Sequence, residues 1–246
     1  VSERKGVRET TLTEEAYQKL RWDIVSGTLE AGSPLRLDNL KQRYGLGYSP
    51  LREALNRLHS ERLVTTVALR GFTVAPLSLS EMWDAVETRI HIEAEALRRA
   101  IEYGDDEWET EIISTFHALA IKAKRLQDLT EQPPKEEIKA LEERHHRFHH
   151  ALISACRSNW LLDFSQKLYV ETERYRFPVL GGSMAASSRD VSREHQDIME
   201  AAIARDADRT VALLTAHYRR TGETLSARYA PESEANVAHR PKAPAL

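Results

Sequence analysis

Apolar residues recur at two different periods along this chain, and the change of period divides it. After Thr13, which can cap a helix, Ala16, Tyr17, Leu20, Ile24 and Val25 fall on one helical face until Gly27 stops it. Residues 29–34 form a turn-rich loop. A short helix follows with Leu37, Leu40 and Tyr44 and ends at Gly45. Gly45-Leu46-Gly47 makes a tight turn. Ser49 as N-cap and Pro50 as first helical residue then open a helix that turns Leu51, Ala54, Leu55 and Leu58 inward. Residues 63–67 and 72–75 are strand-like and meet through Arg70-Gly71, so they predict a small hairpin. Beyond Pro76 the period is helical throughout, over 79–103, 105–129, 135–156, 160–176, 188–205 and 207–228. The breaks carry Gly104, Pro133-Pro134, Ser158-Asn159, Pro178 with Gly181-Gly182, and Asp206.

The pattern predicts a mainly α chain with two domains. A winged helix-turn-helix occupies 11–76 and an all-α bundle of six helices occupies 77–230. Residues 1–10 and the Pro/Ala-rich polar stretch 231–246 are expected to be flexible. At 246 residues the chain is long enough for each domain to bury its own core. No apolar run approaches the roughly 20 residues a membrane helix requires, and 1–10 lacks the pattern of a secretory signal. One cysteine, Cys156, rules out an internal disulfide and any cysteine-rich zinc site. The expected location is the cytoplasm.

Charge sharpens the division. The formal net charge is −3, yet residues 1–76 hold 12 Lys/Arg against 9 Asp/Glu. Between 40 and 76 the surplus concentrates in Lys41, Arg43, Arg52, Arg57, Arg62 and Arg70 against Glu53 and Glu61, as a phosphate-binding surface requires. A helix-turn-helix lays the N-terminal end of its second helix in the major groove, and here that end is Tyr48-Ser49-Pro50-Leu51-Arg52. Arg52, opposite the apolar face, is the first candidate for a guanine edge or a phosphate. Ser49 and Tyr48 stand beside it, Arg57 lies further along, and Arg70 sits at the tip of the wing. The predicted partner is a double-stranded DNA operator.

These residues also carry a resemblance. The segments 17–27, Ala31-Gly-Ser-Pro-Leu35, Ser49-Pro-Leu-Arg-Glu-Ala-Leu-Asn-Arg-Leu58 and Arg70-Gly-Phe-Thr-Val-Ala75 resemble the winged helix of the GntR family of transcription regulators. Where most members have Ser-Arg-Thr-Pro, this chain has Gly47-Tyr48-Ser49-Pro50, so a tyrosine replaces an arginine and the operator specificity of the family does not transfer.

In the second domain, His145 and His149 lie on the same stripe as Ile138, Leu141, Phe148, Leu152 and Cys156. His195 shares a face with Val191, Ile198, Met199 and Ala202, and His217 shares one with Leu214, Thr221 and Leu225. Each could be a hydrogen-bonded core histidine. Four on three helices of one domain instead suggest a divalent transition metal, zinc or else nickel or a similar ion. His146 and His150 fall one residue out of phase and are expected to face solvent or the margin of the site. Phe148-His149, Ser158-Asn159-Trp160-Leu-Leu162, Glu194-His195-Gln-Asp-Ile198, Ala204-Arg-Asp206 and Ala216-His217 resemble the FCD effector domain of the FadR subfamily, and six helices match its VanR-type division. That resemblance implies His149, His195 and His217 as metal ligands, with His145 where many members have Asp. It also implies a homodimer and a catabolic operon, repressed until a small carboxylate effector binds.

An effector carboxylate needs a cation near the metal. Arg89 and Arg174 are the candidates, and Tyr175 or Tyr169 could add a hydroxyl, although Arg89 can instead pair with Glu93 one turn on. Two rivals follow from the same residues: a metal-dependent hydrolase or oxygenase, since an open metal site can activate water, and a regulator with a purely structural metal. No acid/base pair at a recognisable spacing supports the enzyme.

Overall fold

A computed structural model describes residues 11–67, 71–129, 131, 133–183 and 189–237. The chain divides into two compact units, Val1–Leu77 and Ser78–Leu246.

The first unit contains α1 (Leu12–Val25), β1 (Pro34–Leu35), α2 (Leu37–Tyr44), α3 (Tyr48–Ser60), β2 (Val64–Val67) and β3 (Gly71–Val74). Ala16 and Leu20 of α1 meet Leu51, Leu55 and Leu58 of α3, all fully buried. The helices begin earlier than the sequence suggests. Thr11, not Thr13, caps α1, its hydroxyl accepting from Glu14 N at 3.2 Å. Gly47, not Ser49, is the N-cap of α3. Pro50 is tolerated there because no amide of a first turn has an intrahelical acceptor. Gly45 ends α2 in the left-handed region, at φ 69°, which turns the chain directly into α3. The sheet runs in the order β1-β3-β2, with Thr73 of β3 facing both Pro34 and Thr65. Two-residue β1 is invisible to periodicity. A proline fits it because an edge strand does not need every amide.

The second unit contains α4 (Leu79–Tyr103), α5 (Asp106–Gln127), α6 (Lys135–Ile153), α7 (Asn159–Ser183), α8 (Val191–Ile203) and α9 (Ala207–Val237). Side-chain caps from Ser78, Asp105 and Asp190 start α4, α5 and α8. The core gathers Leu97, Ala100, Ile112, Phe148, Leu152, Ile198 and Ala202 from α4, α5, α6 and α8, with Tyr218 of α9. Two helices outrun their sequence signals. α7 continues through Pro178, although a proline inside a helix removes a hydrogen bond and costs about 3 kcal/mol. Tertiary packing offsets this: Tyr175 and Val179, on either side of Pro178, pack with Met82, Trp83 and Leu225. α9 continues to Val237, beyond the expected start of the tail at 231. Glu232, Glu234 and Ala235 are good helix formers, and composition alone does not oppose the extension. Residues 1–10 and 238–246 lie outside the described residues. No described helix is long and apolar enough to cross a membrane.

Candidate functional site

On the first unit, Arg52 stands exposed on α3 above buried Leu51 and Leu55. Tyr48 is half exposed at the N-terminus of α3. Its hydroxyl donates to Asp38 Oδ1 at 2.7 Å, and the Lys41 ammonium lies 4.7 Å from its ring centre. Ser49 donates to Glu53 Oε1 at 3.2 Å. Arg57 is placed differently from the expectation of a DNA contact. It reaches Glu14 at 2.8 Å and Glu61 at 3.4 Å, with its guanidinium 3.5 Å from the ring centre of Tyr17, and so ties α3 to α1. Arg70 lies outside the described residues.

On the second unit, α6 carries His145 and His149 one turn apart, α8 carries His195 and α9 carries His217. One ring nitrogen of each lies within 4.8 Å of those of the others. His149 Nε2 and His195 Nε2 are 3.3 Å apart. Nitrogens bound at 2.0–2.1 Å to one tetrahedral ion lie about 3.3 Å from each other, so this pair already has the spacing of shared ligation.

Hydrogen bonds behind the rings set two tautomers. The Tyr218 hydroxyl donates its single proton to Glu93 Oε2 at 2.5 Å and accepts from Arg89 Nη2 at 2.9 Å. His149 Nδ1, 3.0 Å away, is therefore a donor to Tyr218. Its Nε2 keeps a free lone pair toward His195. His217 Nδ1 donates to Glu194 Oε2 at 2.8 Å, because a carboxylate only accepts, and its Nε2 is likewise a free base. His145 Nδ1 is buried without a hydrogen bond; it lies 3.4 Å from Glu142 Oε1 but is not aligned with it. Burial holds all four imidazoles below their usual pKa, His217 at about 4 and His149 and His195 well below 6.5. Mutual repulsion among the rings adds to this for His149 and His195. Neutral rings with a nitrogen of each within 4.8 Å of the others, one ring with an unsatisfied nitrogen, fit a divalent transition ion.

A cavity of about 200 Å³ opens beside the cluster, with His145, His195 and His217 on its wall. Among the described residues, Arg176 and Arg189 are the cations that line it. Arg176 is bound by Glu142, whose carboxyl it holds well below the ordinary range against the cost of burial. Arg189 donates to both oxygens of Glu194 and to the carbonyl of His217. None of the residues expected to meet an effector lines this cavity. Arg89 is buried behind His149 in an ion pair with Glu93 at 2.7 Å, the i,i+4 alternative noted above. Arg174 is buried with its guanidinium 5.2 Å from the ring centre of Tyr175. Tyr175 anchors the start of α4, its hydroxyl donating to the Ser78 carbonyl at 3.2 Å. Two residues along a helix rotate a side chain about 200°, so a reading that selects Arg174 misses Arg176 on the opposite face. His146 is partly buried, its Nε2 donating to Gln166 Oε1 at 2.8 Å and its ring packed on Tyr169.

An exposed arginine on the second helix of a winged helix-turn-helix, joined in one chain to a helical unit with a histidine cluster and cavity, fits a DNA-binding regulator with a second, helical domain. The chain belongs to the gntR family of bacterial regulatory proteins: residues 12–74 match that family and residues 84–220 match the FCD domain. It is 42% identical over 207 residues to the uncharacterized HTH-type transcriptional regulator BphR of Paraburkholderia xenovorans (strain LB400), covering 84% of this chain and 82% of that one. It is 36% identical over 213 residues to the HTH-type transcriptional repressor GlaR of Escherichia coli (strain K12), covering 82% and 90%. The fold matches E. coli McbR/YncC with a TM-score of 0.73 over 90% of this chain and all (100%) of that one, at 18% identity. The protein is thus a DNA-binding transcriptional regulator. The alternative of a metal-dependent hydrolase or oxygenase finds no support in this membership.

Proposed function

We propose that the protein is a cytoplasmic, homodimeric repressor of a catabolic operon, released from its operator when a small carboxylate docks beside a metal in the helical unit. His149, His195 and His217, with His145 as the fourth ligand, would hold zinc, or nickel or a similar ion. The ion would offer a Lewis-acidic position to a carboxylate oxygen. Arg176 and Arg189 supply the cationic side of the pocket in place of Arg89, Arg174 and Tyr175. Arg52, with Ser49 and Tyr48 at the N-terminus of α3 and Arg70 on the wing, carries the DNA contact. The observation that carries this reading is the cluster of four neutral imidazoles, three of them on the wall of a cavity that two arginines also line. The repressor sense is supported by the likeness to GlaR, which is named a repressor.

Fluorescence anisotropy on DNA from upstream of its own gene tests the switch, with metal-loaded and chelator-stripped protein and a panel of carboxylic acids. At least one acid should weaken DNA binding by tenfold or more, and only with metal present. If every acid that binds the protein leaves its DNA affinity unchanged, the switch is lost.

A further inference from the structure

Each helix around the cavity carries a polar group toward the metal cluster and an apolar one about one turn away. On α6 these are His145 and Leu141, on α7 Arg176 and Val179, and on α8 His195 and Val191. On α9 they are His217 and, two turns on, Leu225. The opposite wall is a single face of α5 formed by Phe116, Leu119, Ala120 and Ala123. The cavity is therefore polarised. Arg176 bonds Glu142, which lies 3.4 Å from His145, and Arg189 bonds His217 itself, so both cations belong to the histidine end. Among the described lining residues, the polar groups one turn or more from the histidines are the uncharged ones of Gln127, Ser192, Thr221 and Thr224, of which Thr221 accepts from Arg189.

We infer that the effector is a monocarboxylate with an apolar body, aliphatic or aromatic, rather than a dicarboxylate or a polyhydroxylated acid. This rests on the effector-site reading above and narrows it. One carboxylate would meet the metal and the arginines. A second would be driven against Leu141, Val179 and Leu225, with no further cation among the described lining residues to receive it, and burial of an unpaired carboxylate is strongly disfavoured. The apolar wall rewards hydrocarbon in the same place.

The test is calorimetric titration of the metal-loaded full-length protein with octanoate, 4-phenylbutyrate and suberate, an eight-carbon diacid. A monoacid should bind at least tenfold more tightly than suberate. Thr224→Lys, an exposed position at the far end, should narrow or reverse that preference while leaving metal content unchanged. Suberate binding as tightly as the monoacids overturns the inference but leaves the effector site standing. Binding of none of the three by protein that retains its metal overturns the inference and the effector site together. A variant that keeps its metal and shows no shift toward suberate removes the assignment of Thr224 to the ligand's distal end, and with it the polarity on which the inference depends.

Discussion

The Tyr218 hydroxyl lies 3.0 Å from His149 Nδ1 and 2.5 Å from Glu93 Oε2, so one phenol links a candidate metal ligand to the buried Arg89–Glu93 ion pair of α4. Its oxygen accepts from His149 and Arg89 while its proton goes to Glu93, which leaves every polar atom of the phenol engaged.

Removing that oxygen should loosen the metal without unfolding the domain. Tyr218→Phe is expected to lower metal affinity about 10–100-fold, the usual effect of deleting a group that orients a ligating histidine. Competition with a fluorescent chelator measures it, and circular dichroism checks the fold. An affinity equal to that of the unaltered protein would show that Tyr218 does not orient His149.

His149→Ala should abolish stoichiometric metal. Elemental analysis beside the unaltered protein decides the point, and absence of metal from both would remove the metal centre altogether. His145→Ala should retain some metal, since three imidazoles remain.

Arg52→Ala should weaken operator binding tenfold or more, on the scale of about 1–3 kcal/mol for one base contact. If the contact is to phosphate, the slope of log K against log salt should fall by about one. Arg57→Ala should behave differently. It breaks the link to Glu14, Glu61 and Tyr17 and should lower the melting temperature of the DNA-binding unit before it changes DNA affinity. Equal losses of DNA binding from both variants at unchanged stability would return Arg57 to the contact surface.

Metal-free protein should lose stability as pH falls from 6.5 toward 4. Above 6.5 the histidines are neutral in both folded and unfolded chains and contribute no pH dependence. Below it the unfolded chain takes up protons, whereas His217 and His146, held at about 4 by burial, do not. Each such histidine costs up to about 1.4 kcal/mol per pH unit across that window. Chemical denaturation at stepped pH should show the decline, and a flat profile would show that the rings are solvated.

The helical stripes were legible because each is long and closely periodic. His145, His149, His195 and His217 fall on apolar faces for the same reason that they meet in three dimensions. The helix starts at Thr11 and Gly47 were obscured because neighbouring Thr13 and Ser49 are equally good caps on paper. Pro178 reads as a stop because the stabilisation of α7 comes from α4 and α9, which a local window does not contain. The arginines that line the cavity were overlooked on similar grounds. Arg176 and Arg174 differ only in the face each presents, and Arg189, which the pattern places at the start of the 188–205 helix, precedes α8 in the structure. Only Glu194, already noted beside His195, and Tyr218, next to His217, gave a local hint of the groups behind the ligands.

Both arginines on the cavity wall are already held by the protein's own acids, Arg176 by Glu142 and Arg189 by Glu194. An acid docking there as proposed would compete with a tethered one that never diffuses away. The tethered carboxylates therefore set a threshold: casual anions at low concentration are turned aside, and only a ligand that also gains from the metal and the hydrocarbon wall outcompetes the residents. On the proposed reading the sensitivity of the site would be written in Glu142 and Glu194, residues that the ligand displaces rather than binds.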